Sequence, residues 1–248
     1  MAAPDIEYLA VERRRIAYRH RRGAAPTLMF LPGYASDMDG AKAAALDASA
    51  ATRGLAMLRF DYSGTGASGG EFAEGTLKAW LGQAVRLADK LTTGPLVLIG
   101  SSMGGWIALH LALQLPKRVA ALVGIAAAPD FTQWGFSESQ MRQIAREGLL
   151  ELDNPYGEAP YRTFRDFWQS GQEMRLLEGE IAVDCPVRLI HGDADQDVPI
   201  EIAHRLMTRL RSADVQLLTI KDGGHRLSEP RQIDAILRTV SGLLESLA

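Results

Sequence analysis

Apolar residues gather in short runs near residues 7–11, 15–18, 27–31, 55–60, 96–100, 120–125, 187–191 and 215–220. Short runs of this kind predict strands. From the third run onward they alternate with stretches of helical periodicity, so helices are predicted at 40–53, 76–91, 103–115, 199–211 and 230–246, with Thr76 and Glu229-Pro230 as starts. Strands that alternate with helices form a largely parallel sheet, because parallel neighbours need long crossovers. The first two runs are too close for a crossover and predict an antiparallel hairpin at one edge. The pattern is that of an α/β chain with a mostly parallel eight-stranded sheet flanked by helices.

Between the strands ending near 126 and starting near 187 lie residues that the sheet does not require, far more than an ordinary connection uses. An insertion over about 128–184, within one domain spanning 1–248, is therefore expected. It carries Phe131, Trp134, Phe136, Tyr156, Tyr161, Phe164, Phe167 and Trp168, with Met141 and Met174. A small helical lid over an apolar pocket is expected, with Trp134, Phe164 and Trp168 among its substrate contacts; the opposing reading is a satellite core that binds nothing.

Composition removes several classes. With 248 residues, 47% hydrophobic and 23% charged, the chain has enough apolar material for an ample core, which excludes disorder. A net charge of −3 gives no electrostatic reason to expect nucleic acid or an anionic membrane as partner. Arg13, Arg14, Arg15, Arg19, Arg21 and Arg22 read as a solvated hairpin edge. No run reaches membrane-spanning length, and no basic segment followed by an apolar stretch opens the chain, so a cytoplasmic protein is expected, or a mitochondrial matrix one if the chain is a processed form. Cys185, a single cysteine, reads as structural.

The motif that carries chemistry is Gly100-Ser101-Ser102-Met103-Gly104. Pro95–Ile99 reads as a buried strand and Trp106–Leu113 as a buried helix, so Ser102 falls on the turn between them, the context in which G-x-S-x-G presents a nucleophile. Gly66-Ala67-Ser68-Gly69-Gly70 matches the same pattern but starts no apolar helix, which disqualifies Ser68. A serine hydroxyl needs a base, and the base needs a carboxylate to orient it. His225 lies on the loop after the last strand, at the carboxyl edge of the sheet where open α/β folds bind ligands. His20, His110, His191 and His204 read as packed or solvated histidines. Asp193, Asp195 and Asp197 share the loop after 187–192. Spacing favours Asp195, midway between strand and helix, with Asp193 and Asp197 orienting the loop or capping the helix. A metal site on this loop lacks a second ligand set, and none is expected.

Acyl transfer needs donors aimed at the developing oxyanion, each worth roughly 3 to 4 kcal/mol. The Met103 amide, at a helix start, is one candidate. Pro32-Gly33 opens a loop after a strand and offers the Tyr34 amide as the other, with Gly33 against the substrate.

These residues together resemble an α/β-hydrolase over nearly the full length. Phe60–Gly70, Gly100–Trp106 and Asp184–Gly192 are similar to the mitochondrial α/β-hydrolase-domain-ten proteins, described as S-depalmitoylases that also cleave acyl glucuronides. The resemblance implies a cofactor-independent thioesterase or carboxylesterase with Ser102, Asp195 and His225 as its triad and Tyr34 and Met103 at the oxyanion positions, acting on a small ester, an acyl thioester or an S-acylated protein. A peptidase or C–C hydrolase could use the same triad, and a hydrolase-fold binding protein would have lost part of it. Gly64-Thr65-Gly66-Ala67-Ser68-Gly69 imitates a dinucleotide fingerprint, but no helix follows it at once. Its glycines are expected to let Asp61 and Tyr62 approach the active-site rim.

Overall fold

The computed structural model describes residues 2–155 and 157–247, so Tyr156 of the insertion lies outside the described residues. The chain opens with strands β1 (Glu7–Val11), β2 (Arg14–Arg21) and β3 (Ala24–Leu31), then helix α1 (Ala41–Arg53), β4 (Leu55–Phe60), α2 (Leu77–Leu91), β5 (Leu96–Ser101), α3 (Met103–Gln114) and β6 (Val119–Ile125). The insertion follows as α4 (Phe131–Trp134), α5 (Glu138–Glu147), β7 (Leu149–Leu152), β8 (Tyr161–Phe164) and α6 (Arg165–Glu173). The chain closes with β9 (Val187–Gly192), α7 (Ile200–Arg209), β10 (Val215–Ile220) and α8 (Pro230–Ser246).

The eight predicted strands form one sheet in the order β1-β2-β4-β3-β5-β6-β9-β10. β1 pairs antiparallel with β2 and β2 with β4, whereas every pairing from β4 to β10 is parallel. Alternate residues of β5 serve two cores: Leu96 and Leu98 face one, Val97 and Ile99 the other. The first core packs under α2, α3 and α7, the second under α1 and α8. That two-sided burial is why the central strands read as continuous apolar runs. Thr76 caps α2 through the Ala79 amide, and Pro230 begins α8 behind a Glu229–Gln232 capping box.

Two expectations change. The insertion is not purely helical, because β7 and β8 pair antiparallel into a two-stranded ribbon. Its strands span four residues each, too few for alternation to stand out in the sequence. The arginine-rich hairpin is not merely solvated either. Arg21 pairs with Asp47 of α1 at 2.7 Å, Arg19 with Asp39 at 2.9 Å and Arg14 with Glu74 at 2.9 Å, so half of the cluster clamps the sheet edge to neighbouring segments. Among the described residues, no helix is long and apolar enough to cross a membrane.

Candidate active site

β5 ends in the middle of the sheet and hands the chain to α3 through Ser102, which adopts φ 53° and ψ −122°. A non-glycine residue at positive φ is strained and persists only where its surroundings fix it. Here the Ser102 amide donates to the Ile125 carbonyl at 2.9 Å, and the Ser102 carbonyl accepts from Gly105 and Ala128. The flanking glycines are sterically required. A Cβ on Gly100 would stand 2.3 Å from the Gly104 carbonyl oxygen, and one on Gly104 would stand 2.0 Å from that of Leu31. The tight turn leaves the hydroxyl facing the cavity.

The loops after β9 and β10 bring the other two groups to it. They meet at Gly192 and Gly223, so close that a Cβ on Gly192 would lie 2.0 Å from the Gly223 carbonyl oxygen. Asp193 and Ala194 donate their amides to Ile220 and Gly223, and the Asp193 carboxylate accepts from the Asp222 amide at 2.6 Å. Asp193 thus ties the two loops together, while Asp195 faces the histidine. His225 Nε2 lies 3.0 Å from Ser102 Oγ, and His225 Nδ1 lies 2.9 Å from Asp195 Oδ2. A carboxylate only accepts, so Nδ1 carries the proton and Nε2 offers its lone pair to the serine hydroxyl.

The Asp195 side chain is fully buried, and its second oxygen accepts from the Asp197 and Val198 amides, both at 2.9 Å. Burial opposes the charge, but hydrogen bonds from His191, His225 and the Val198 amide together hold the carboxyl well below the usual carboxylate range. The carboxylate therefore stays ionised where the imidazole needs it.

Gly33, in the loop after β3, lies directly against the nucleophile: a Cβ there would be 3.4 Å from Ser102 Cβ. Tyr34 follows it, and Met103 opens α3, where its amide has no acceptor within the helix. The Tyr34 side chain turns away and donates to the Arg162 carbonyl at 2.6 Å.

A cavity of about 440 Å³ contains Ser102 and His225 and is lined by Gly33, Tyr34, Phe72 and Tyr161. Its wall also includes Lys42, Arg162 and Arg226, which the sequence reading did not single out. Lys42 looked like an ordinary surface position of an alanine-rich helix, and nothing in the pattern marked it. Its ammonium donates to the Arg226 carbonyl, and burial with the neighbouring Arg226 charge pulls it down to about 8.

The other expected substrate contacts are placed elsewhere. Asp61 and Tyr62 are each 1% exposed and do not reach the rim. The Asp61 carboxylate accepts from the Met38 and Ala67 amides at 2.7 and 2.8 Å, and a Cβ on Gly66 would strike it at 2.1 Å. The glycine-rich loop thus wraps its own aspartate, where a dinucleotide fingerprint would wrap phosphate. Ser68 spends its hydroxyl on the Asp61 carbonyl. Trp134, Phe164 and Trp168 do not line the cavity. The two indoles donate to the Pro129 and Thr132 carbonyls, and Phe164 packs behind Phe72. The insertion's Phe131 and Phe167 join Tyr34 and Trp80 in a ring cluster, so these rings pack internally while Tyr161 of the same insertion lines the cavity. Cys185 is a partly buried free thiol whose burial raises it to about 11, far from a reactive thiolate.

The alpha/beta hydrolase family matches residues 28–238. The chain belongs to that family. It is 37% identical over 237 residues to the mouse protein named palmitoyl-protein thioesterase ABHD10, mitochondrial, covering 94% of this chain and 80% of that one. The human protein of the same name is 35% identical over 94% of this chain and 78% of its own length. The solved structure of mouse alpha/beta hydrolase domain-containing protein 10 superposes with a TM-score of 0.92 at 34% identity, covering 98% of this chain and all of that one. A putative hydrolase from Agrobacterium vitis is 38% identical with a TM-score of 0.90 over 96% of this chain and 99% of its own. The protein is a hydrolase of this fold.

Proposed function

We propose that the protein hydrolyses carboxylic esters or acyl thioesters through an acyl enzyme on Ser102. The observation that carries the reading is the unbroken chain from Ser102 Oγ through His225 to the buried Asp195 carboxylate, at 3.0 and 2.9 Å. His225 Nε2 takes the hydroxyl proton as Oγ bonds to the substrate carbonyl carbon, and the Tyr34 and Met103 amides receive the oxyanion. The C–O or C–S bond then breaks, and the imidazolium returns the proton to the departing alcohol or thiol. Water, deprotonated by the same nitrogen, repeats the sequence and releases the acid.

The relatives named palmitoyl-protein thioesterases support a thioester as substrate. Lys42 and Arg226 on the cavity wall support one that carries negative charge. The relatives' names support a mitochondrial location, a cytoplasmic one is the alternative, and cell fractionation decides between them. The test of the activity is a panel of short- and long-chain oxygen esters and acyl thioesters, run beside Ser102→Ala. Turnover by the wild-type protein and its loss, on the order of 10⁵-fold or more, in the variant is expected. Full turnover by Ser102→Ala would remove the proposal.

A further inference from the structure

One buried titratable group stands beside the site and has no part in the reaction just described. His191 lies on β9, alternating with the buried aliphatic residues Val187 and Leu189, and it is 1% exposed. Its Nε2 sits 2.9 Å from the Val198 carbonyl oxygen and 3.4 Å from Asp195 Oδ2, the same oxygen that faces His225. A carbonyl can only accept, so Nε2 carries the proton and the tautomer is fixed. Desolvating an imidazole is costly without partners, and this one is placed where both acceptors belong to the loop that carries the acid.

We infer that His191 is a positioning residue for Asp195. The argument is one of loop closure. The Val198 amide donates to Asp195 Oδ1 at 2.9 Å, while the Val198 carbonyl accepts from His191. The residue that grips one carboxylate oxygen from its amide side is therefore gripped from its carbonyl side by β9. The other amide on Oδ1, that of Asp197, comes from the same loop, and the Asp195 backbone itself reaches β9 through its amide on the Gly192 carbonyl at 3.3 Å. Through Val198, the rigid strand sets the carboxylate's direction. The second, longer arm from His191 to Oδ2 adds positive dipole beside that oxygen and orients it without displacing the shorter bond from His225. The sheet thereby fixes the far end of the relay, as Ile125 fixes Ser102 at the near end. Preorganisation of this kind is what holds base and nucleophile within about 0.5 Å of the productive geometry.

The inference rests on the triad reading, so its test includes Ser102→Ala as a separate control. If that variant keeps full turnover, the triad reading fails; if it is inactive, the His191 variants speak for themselves. His191→Leu keeps an apolar filling but removes both bonds, His191→Gln returns a donor near the Nε2 position, and His191→Asn places its amide too short to reach. For His191→Leu, kcat should fall on the order of 10- to 100-fold, the range common when a partner that orients a ligating or reacting group is removed, with KM nearly unchanged. His191→Gln should recover most of that loss and His191→Asn should not. The downfield imidazole proton of His225, observed by NMR, should persist in His191→Gln and broaden or shift in His191→Asn. Wild-type kcat in His191→Leu overturns the inference. So do equal rates for the Gln and Asn variants, a comparison that decides the matter alone if His191→Leu does not fold.

Discussion

The Tyr34 phenol donates a 2.6 Å hydrogen bond to the Arg162 carbonyl, joining residues 128 positions apart. Tyr34 belongs to the loop that lies against Ser102, and Arg162 to the ribbon strand β8, so the insertion is fastened to the catalytic floor by the side chain of a proposed oxyanion residue. The same ring packs at 4.7 Å from Phe167 and 5.1 Å from Phe72. One residue thus joins a proposed oxyanion amide to a side chain that builds the wall.

Tyr34→Phe separates those two roles. The ring cluster and the amide remain, and one hydrogen bond of about 1 kcal/mol is lost. Because β8 also supplies Tyr161 and Arg162 to the cavity, KM should rise several-fold while labelling of Ser102 by a small fluorophosphonate proceeds at the wild-type rate. Limited proteolysis should cut more readily within 149–164. Unaltered KM together with unaltered proteolysis would show that the bond holds nothing in place.

The glycines of the nucleophile turn give a contrast within one protein. Gly104→Ala would drive its Cβ to 2.0 Å from the Leu31 carbonyl oxygen, backbone that cannot yield, so loss of several kcal/mol or outright failure to fold is expected. Gly82, in the exposed middle of α2, has no atom within 4 Å of a built Cβ. Gly82→Ala should stabilise by about 0.5 to 1 kcal/mol, because alanine loses less backbone entropy on entering a helix. Chemical denaturation of the two variants measures both signs.

How legible each part was depended on whether its signal was local. The sheet strands were readable because burial on both faces leaves apolar runs such as Leu96–Ile99, and the turn at Ser102 because glycine spacing and the strand-to-helix change coincide. His225 and Asp195 could be ranked since loop position after a strand fixes the edge to which they are delivered. The cavity wall was not readable. Asp61 and Tyr62 sit one turn from the glycines that suggested a rim, yet the loop folds inward over the Asp61 carboxylate. Lys42 reaches the cavity only because the end of α1 faces the loop holding His225, a tertiary accident of packing with no trace in the helix's own pattern. Trp134, Phe164 and Trp168 misled for a physical reason: large rings serve a small core as well as they serve a ligand.

Acid stability follows from Asp195. Its carboxyl titrates below the unfolded value of about 4, so the folded state holds its charge more tightly than the unfolded chain does. The stability it contributes is present above about pH 4 and is lost as pH falls toward the folded-state value. In urea titrations from pH 7 to pH 3, the stability gap between the wild-type protein and Asp195→Asn should narrow on acidification. A gap that stays constant to pH 3 would falsify the assignment of a tightly held charge.

Lys42 bends a pH profile at the other end. Its ammonium is drawn down to about 8, whereas in the unfolded chain it titrates near 10.4. Above pH 8 the cavity that holds Ser102 therefore sheds a positive charge that its wall carries at neutral pH. Wild-type kcat/KM for an ester bearing a carboxylate near its carbonyl should exceed that for a neutral isostere at pH 7, on the order of tenfold for a charge-assisted contact, and the preference should decline as pH rises through 8. Lys42→Met should show a smaller preference that does not vary over that range. Stability should move the opposite way. Between about pH 8 and 10.4 the unfolded chain binds more protons than the folded one, so the wild-type protein gains stability relative to Lys42→Met as pH rises. Specificity falling while stability climbs, both through one lysine, separates a charge on the cavity wall from a general loosening of the site at high pH, which would lower the two together.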